Sequence, residues 1–204
     1  MIAFAIEAAR KSNVFDQVVV STDDSEIAKL AMAEGADVPF TRSADLADDL
    51  TPTVPVIADA IRQCRRLGWS ADQVCCIYPG VPFIEAQDIL DALAVLDKGG
   101  ADYVFPVASF PSAIQRALQR DADGSTRPFY PQHVSTRTQD LEPGYYDAGQ
   151  FYWGHAPSWL AGLNIHTHGK TIVLPEWRVV DIDTEADWAR AELMYQAFAG
   201  KPAA

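Results

Sequence analysis

The sequence predicts an α/β domain in which a mostly parallel sheet is covered by helices on both faces. Two observations predict it. Short apolar runs at residues 18–20, 74–77 and 103–108 are unbroken by polar residues, as in strands buried on both faces. They alternate with longer stretches whose apolar residues recur at helical spacing, which is the order of a strand–helix–strand chain.

Taken in order, "MIAFAIEAARKSNVF" predicts a helix rich in good helix formers. "DQVVV" predicts a short β-branched strand, and "STDD" supplies turn and cap residues after it. "SEIAKLAMAEGA" predicts a second helix, with Gly35 as its stop. "TPTVPVIADAIRQCRRLG" predicts a helix entered through prolines and closed by Gly68. "DQVCCIYPGVPF" predicts a buried strand broken by Pro79 and Pro82. "EAQDILDALAVLDKGG" predicts a helix, and "ADYVFPVASF" a strand. Residues 111–149 show no clear period and predict an insertion of loops and short strands. "QFYWG" and "TIVLPEWRVVDID" return to strand character, and "TEADWARAELMYQAFAG" predicts the closing helix. Such a domain normally opens on a strand whose following loop binds phosphate. This chain opens on a helix.

The length of 204 residues suits one domain with a sizeable core, spanning residues 1–204. The formal net charge of −12 disfavours a nucleic-acid partner, which calls for a basic patch. No apolar run is long enough to cross a bilayer and no secretory signal opens the chain, so a cytoplasmic protein without a membrane partner is expected. Cys64, Cys75 and Cys76 form no CxxC pattern and read as buried, inert thiols.

Ligands of open α/β sheets bind beyond the carboxyl ends of the strands. Three such ends carry chemistry. Ser21, Thr22, Asp23 and Asp24 can cap the next helix or touch a nucleotide. Tyr78, Pro79, Gly80, Val81 and Pro82 form a rigid turn that is either structural or one wall of a nucleotide pocket. Asp181 and Asp183 lie two apart, so on a strand they point to one side and suit a hard cation such as Mg²⁺. They can equally belong to a helix start, since Thr184 to Asp187 follows the capping-box spacing. His166 and His168 form an HxH in a glycine-bounded segment and read as a solvated loop. The Phe151–Tyr152–Trp153 cluster reads as core or interface.

The segments "FDQVVVSTDDSEIAKLAMAEGADVPFTRSADLADD", "HVSTRTQDLEPGYYDAGQFYWG" and "VVDIDTEADWARAELMY" together resemble the sialic-acid-type cytidylyltransferases. The last two most resemble the pseudaminic acid branch. The resemblance implies a Rossmann-like three-layer nucleotidyltransferase fold and a homodimer formed through the inserted segment. It implies transfer of CMP from CTP to the anomeric hydroxyl of a nonulosonic acid, with pyrophosphate released and Mg²⁺ required, for surface glycan or flagellin glycosylation. On this resemblance Asp181 and Asp183 are catalytic metal ligands. Ser21, Thr22, Asp23, Arg42, Tyr78, Pro79 and Gly80 bind the nucleotide, and Arg137, Gln139, Asp147 and Gln150 face the sugar. In the family a strand and a basic phosphate loop precede the helix in which Met1 aligns. The resemblance therefore implies a truncated chain or a misassigned start, with poor turnover for these 204 residues. At Gly80-Val81 the family usually has Thr-Ala or Thr-Ser. Two other readings remain, a non-catalytic sugar-binding or dimerising remnant and a glycosyltransferase using Asp181-Ile182-Asp183 as a DxD motif.

Overall fold

The computed structural model describes residues 1–199. Helices α1 (Ile2–Ser12), α2 (Ser25–Ala33), α3 (Thr53–Arg66), α4 (Ala86–Asp97), α5 (Ala156–Ala161) and α6 (Glu185–Ala199) surround strands β1 (Gln73–Ile77), β2 (Tyr103–Ser109), β3 (Leu118–Arg120), β4 (Thr126–Pro128), β5 (Tyr145–Asp147), β6 (Phe151–His155) and β7 (Gly169–Val173). Gly200, to which the sequence carries the last helix, lies outside the described residues. Among the described residues no helix is long and apolar enough to cross a membrane.

The layering follows from side-chain alternation in the strands. Cys75, Val104, Phe151 and Trp153 pack on one face with α1 and α4, through Ala5, Ala8, Ile89, Ala92 and Leu96. Cys76, Tyr103, Phe105 and Tyr152 pack on the other face with Ile61 of α3 and Trp159 of α5. The buried positions of α4, Ile89, Ala92 and Leu96, have the i, i+3, i+7 spacing of one helical stripe. The result is a three-layer α/β arrangement.

The expectation of a mostly parallel sheet is corrected. The main sheet runs β1-β6-β2-β5, with β7 also paired to β2. Among the described residues β2 pairs β7 in parallel, but β1 with β6, β2 with β6 and β2 with β5 are antiparallel. The cause is β6, which enters in reverse between β1 and β2. Those two strands still point the same way, without touching as partners. One edge of β2 is shared, since β6 pairs Tyr103 and Val104 while β5 pairs Val107 to Ser109. Pro106, which lacks an N–H, sits in the gap, and its carbonyl accepts the Ala148 N–H at 3.0 Å. The turn at residues 148–150 bridges the same gap, with Gly149 at φ 62.

Two predicted strands do not form. Residues 17–20 make only a parallel bridge from Val19 to Asp37, a ladder too short to count as a strand. After Leu174, whose N–H donates to the Val107 carbonyl at 2.8 Å, Pro175 ends the pairing and Glu176–Arg178 coil into a 3₁₀ turn. Asp181 and Asp183 therefore lie on irregular chain beyond β7, outside any ladder. Residues 111–144 leave the sheet as 3₁₀ turns and the small β3–β4 hairpin.

Candidate active site

The segments that follow β1 and β7 are joined through the β5–β6 turn, since the Tyr78 N–H donates to the Gln150 carbonyl and Gln150 Nε2 donates to the Arg178 carbonyl. Beside them, Arg42 is tied to the loop before α2. Its backbone N–H donates to the Thr22 carbonyl at 3.0 Å, its Nε to the Ser21 Oγ at 3.2 Å and its Nη2 to the Ser21 carbonyl. The helix cap is made by Asp24, whose Oδ1 accepts from the N–H groups of Glu26 and Ile27 at 2.6 and 3.1 Å. Thr22 accepts from the Asp24 N–H at 3.1 Å, and Asp23 is exposed, with no side-chain hydrogen bond among the described residues. Arg42 also reaches toward β1. Burial pushes the Cys76 thiol up to about 12, and the nearby guanidinium opposes that rise. The three cysteines are free, and burial raises each of them.

After β1, the Tyr78 N–H donates to the Gln150 carbonyl at 2.9 Å. The Tyr78 hydroxyl bonds that of Thr53, at the start of α3. Its ring lies edge-on to Tyr152, with centroids 5.4 Å apart. Pro79 is exposed, and a Cβ added to Gly80 would meet nothing within 4 Å, so the loop presents open backbone there.

Asp147 is the hub. Its Oδ1 accepts the Gly149 N–H at 2.9 Å, which fixes the turn between β5 and β6. Its Oδ2 accepts the Tyr152 hydroxyl at 3.0 Å and lies 2.7 Å from His166 Nε2. Burial raises the Tyr152 phenol far above its ordinary range, and the Asp147 charge adds to the rise. Burial also raises Tyr78, against the Thr53 hydrogen bond. The His166 ring stands edge-on to Phe105, with centroids 5.2 Å apart. His168 turns instead toward the Asn164 carbonyl, 3.0 Å from Nδ1, so the two histidines serve different partners.

Asp181 and Asp183 are exposed, and no hydrogen bond reaches either carboxylate among the described residues. The start of α6 is held by a reciprocal pair. Thr184 N–H and hydroxyl donate to Asp187 Oδ2 at 3.0 and 2.6 Å, and the Asp187 N–H donates to Thr184 Oγ1 at 3.2 Å. The two aspartates are thus not needed for the cap. Partial burial raises the Asp181 carboxyl above its ordinary value, followed by repulsion from Asp183, Asp187 and Asp147. Among the described residues no three His, Cys, Asp or Glu side chains converge as a ready ligand set.

The other expected sugar residues sit differently. Gln150 is 2% exposed, and its Nε2 donates to the Arg178 carbonyl at 2.8 Å. Its Oε1 is buried without a partner among the described residues. Arg137 and Gln139 lie on an exposed turn, with no side-chain hydrogen bond among the described residues. Two residues escaped the sequence reading. His166 had a signal in the HxH, which looked like solvated loop. Arg178 had only its position among apolar neighbours, although it is buried and paired with Asp88.

A cytidylyltransferase family model matches residues 1–141, a span that holds Ser21, Arg42, Tyr78 and Arg137. The chain is 34% identical over 197 residues to the pseudaminic acid cytidylyltransferase of Campylobacter jejuni, covering 96% of this chain and 85% of that protein. It is 28% identical over 204 residues to the CMP-N,N'-diacetyllegionaminic acid synthase of Legionella pneumophila. That match covers 96% of this chain and 85% of that protein. A solved CMP:2-keto-3-deoxy-manno-octonic acid synthetase complexed with CTP matches with a TM-score of 0.66 at 15% identity, covering 97% of this chain and 88% of that one. That last likeness is one of fold. The family match over two-thirds of the chain and the one-third identity to a cytidylyltransferase over nearly all of it agree, and the chain belongs to the cytidylyltransferase family.

Proposed function

We propose that this protein transfers CMP from CTP to a nonulosonic acid, with pseudaminic acid the preferred acceptor, and releases pyrophosphate. The observation that carries the reading is the pair of exposed carboxylates, Asp181 and Asp183, which accept no hydrogen bond among the described residues and are not needed for the cap of α6. The naming of the Campylobacter jejuni relative supports pseudaminic acid as the acceptor. Asp181 and Asp183 fit Mg²⁺, because both are oxygen donors and neither carboxylate is used by the fold among the described residues. Mg²⁺ typically takes one or two protein carboxylates and completes its shell with phosphates and water, so a third protein ligand is not required. Bound there it would neutralise phosphate charge.

The chain's own groups account for positioning. Arg42, fixed by Ser21, supplies a positive charge at the nucleotide end, beside Thr22 and Asp23. Tyr78, Pro79 and the open backbone at Gly80 form a wall. Asp147 Oδ1 accepts one bond and has a lone pair left for a sugar hydroxyl, while Tyr152 and His166 hold Oδ2. Gln150 supports this turn from the core, and Arg137 and Gln139 have side chains available to the sugar. The acceptor oxygen bonds to the α-phosphorus as the bond to the β-phosphoryl oxygen breaks. Pyrophosphate leaves with that electron pair, and the hydroxyl proton passes to solvent water. Orientation and charge do most of this work.

The test is pyrophosphate release by the full gene product with CTP, Mg²⁺ and pseudaminic, legionaminic or neuraminic acid. Pseudaminic acid is expected to give a kcat/KM about tenfold or more above the others, the scale on which pocket contacts discriminate. Sugar binding without turnover would mean a non-catalytic remnant. Consumption of a nucleotide-sugar donor but not CTP would mean a DxD glycosyltransferase.

We also propose a homodimer through residues 111–149. Phe110, Leu118, Phe129, Tyr130, Val134 and Tyr145, in and flanking this segment, are 41% to 57% exposed, an unusual density of apolar surface. Sedimentation equilibrium is expected to show a dimer for the wild type and a monomer for Leu118→Arg with Phe129→Arg. A dimer unaltered by both changes would exclude this surface.

A further inference from the structure

The segment carrying Asp181 and Asp183 has left the sheet, so no ladder fixes its backbone. A buried ion pair does so instead. Arg178 Nη1 donates to Asp88 Oδ2 at 2.7 Å and Nη2 donates to Asp88 Oδ1 at 2.9 Å. Nη1 also lies 3.1 Å from Glu85 Oε2. The side chains of Arg178 and Asp88 are only 10% and 7% exposed. At the other end of the same residue, the Arg178 carbonyl accepts from Gln150 Nε2. Arg178 is therefore held by both its side chain and its backbone. Val179 and Val180, at 5% and 6% exposure, fill the space between this anchor and Asp181.

Asp88 is itself fixed. It is the third residue of α4, and its Oδ2 accepts the Glu85 N–H at 3.2 Å in a capping box. Residue 85 directly follows the strand-end loop that begins at Tyr78. The pair thus joins the loop that walls the nucleotide side to the segment that bears the aspartates.

We propose that Arg178, clamped by Asp88, is a positioning residue that sets the Asp181 and Asp183 carboxylates for a divalent cation. The proposal rests on the reading of those two aspartates as the cation pair. A buried ion pair contributes little net stability compared with apolar residues of the same volume, whereas its fork geometry fixes register. Lys cannot reproduce the two parallel hydrogen bonds, so the clamp depends on Arg and not on charge alone.

Three variants of the full gene product test it: Arg178→Lys, the isosteric Asp88→Asn, and Glu85→Gln. The last removes only the third contact, on a side chain that is 58% exposed. Two quantities are read. One is the dissociation constant of Mn²⁺, a paramagnetic stand-in, from the electron paramagnetic resonance of free ion. The other is the Mg²⁺ concentration that half-saturates pyrophosphate release. Arg178→Lys and Asp88→Asn are each expected to raise both by about tenfold, the usual effect of losing a group that orients a metal ligand. The double variant is expected to shift no further than either single one, because both break one clamp. Glu85→Gln should shift both in the same direction by less. Ile61→Ala, in the core of α3, should lower Tm and leave both constants unchanged. If wild type binds Mn²⁺ and responds to Mg²⁺ but the clamp variants match it, the clamp proposal alone is overturned. If wild type neither binds Mn²⁺ nor responds to Mg²⁺, the cation reading falls and takes the clamp with it.

Discussion

Replacing either Asp181 or Asp183 by Asn is expected to lower kcat for pyrophosphate release by about 100- to 1000-fold. A metal on phosphoryl oxygens supplies several kcal/mol, and each ~1.4 kcal/mol is a factor of ten. Asn keeps the shape of Asp and removes the charge. Stability should hardly change, because both carboxylates are exposed, accept no hydrogen bond among the described residues and leave the cap to Thr184 and Asp187. The sign of the charge effect supports this. Partial burial, then repulsion from Asp183, Asp187 and Asp147, raises Asp181 above the value it has unfolded. A raised acid favours folding while it is protonated, and that contribution is lost as pH rises through the raised pKa. At neutral pH the ionised group is a small liability, so Asp181→Asn should match or slightly exceed the wild type in Tm. Turnover, Mg²⁺ dependence and a thermal melt on each variant check the prediction. Wild-type turnover with wild-type Mg²⁺ dependence in both variants would remove the aspartates from the chemistry.

Several of these residues were legible in advance because their signals are local. The stripe Ile89, Ala92, Leu96 marks α4, and the run from Tyr103 to Ala108 marks a strand buried on both faces. The Thr184–Asp187 spacing marks the start of α6, but spacing alone leaves the two aspartates open between cap and cation; the bonds between Thr184 and Asp187 release them from the cap. Strand direction is different in kind. A strand buried on both faces reads as the same apolar run whichever way it points, so "FYWG" carries no sign that β6 enters in reverse between β1 and β2. "RVVDID" has β-branched residues and still forms no strand, because Pro175 has already taken the chain out of the sheet. The partners of Arg178 and Asp147 were beyond reach for another reason. Asp88 lies 90 residues from Arg178, and His166 lies 19 from Asp147, and no periodicity links either pair. A buried arginine announces that a carboxylate must meet it, but only the fold says which one.

Trp159→Ala is expected to cost about 3–5 kcal/mol of folding stability, the range for removing a buried Trp or Phe side chain. Trp159 is fully buried, its ring is edge-on to Tyr103 with centroids 4.9 Å apart, and its Nε1 donates to the Val74 carbonyl at 3.2 Å. The loss is not easily repaired. α5 has only 6 residues, too few to persist on helix propensity, so it is held by packing on β1 and β2, of which Trp159 is the largest side chain, beside Ala156 and Leu160. No relaxation of Gly154 can fill the space, since it carries no side chain, and a Cβ there would stand 2.5 Å from Tyr103 Cδ1. With about 2–4 °C lost per kcal/mol in a domain of this size, Tm should fall by about 10 °C. Turnover should respond differently. Trp159 follows β6, which runs opposite to β1 and β2, so it packs near the amino ends of those strands at Val74 and Tyr103. Tyr78 directly follows β1 at its carboxyl end, and Asp181 follows β7 and the 3₁₀ turn after it. Well below the lowered Tm, kcat and the half-saturating Mg²⁺ concentration should stay within about twofold of wild type, as for sites without shared partners. A fall in Tm of less than about 2 °C would mean that α5 is held by something other than Trp159. A loss of turnover matching that of Asp181→Asn at a temperature where the variant is folded would mean that the two ends of the sheet are coupled, and that the core under α5 helps to shape the site.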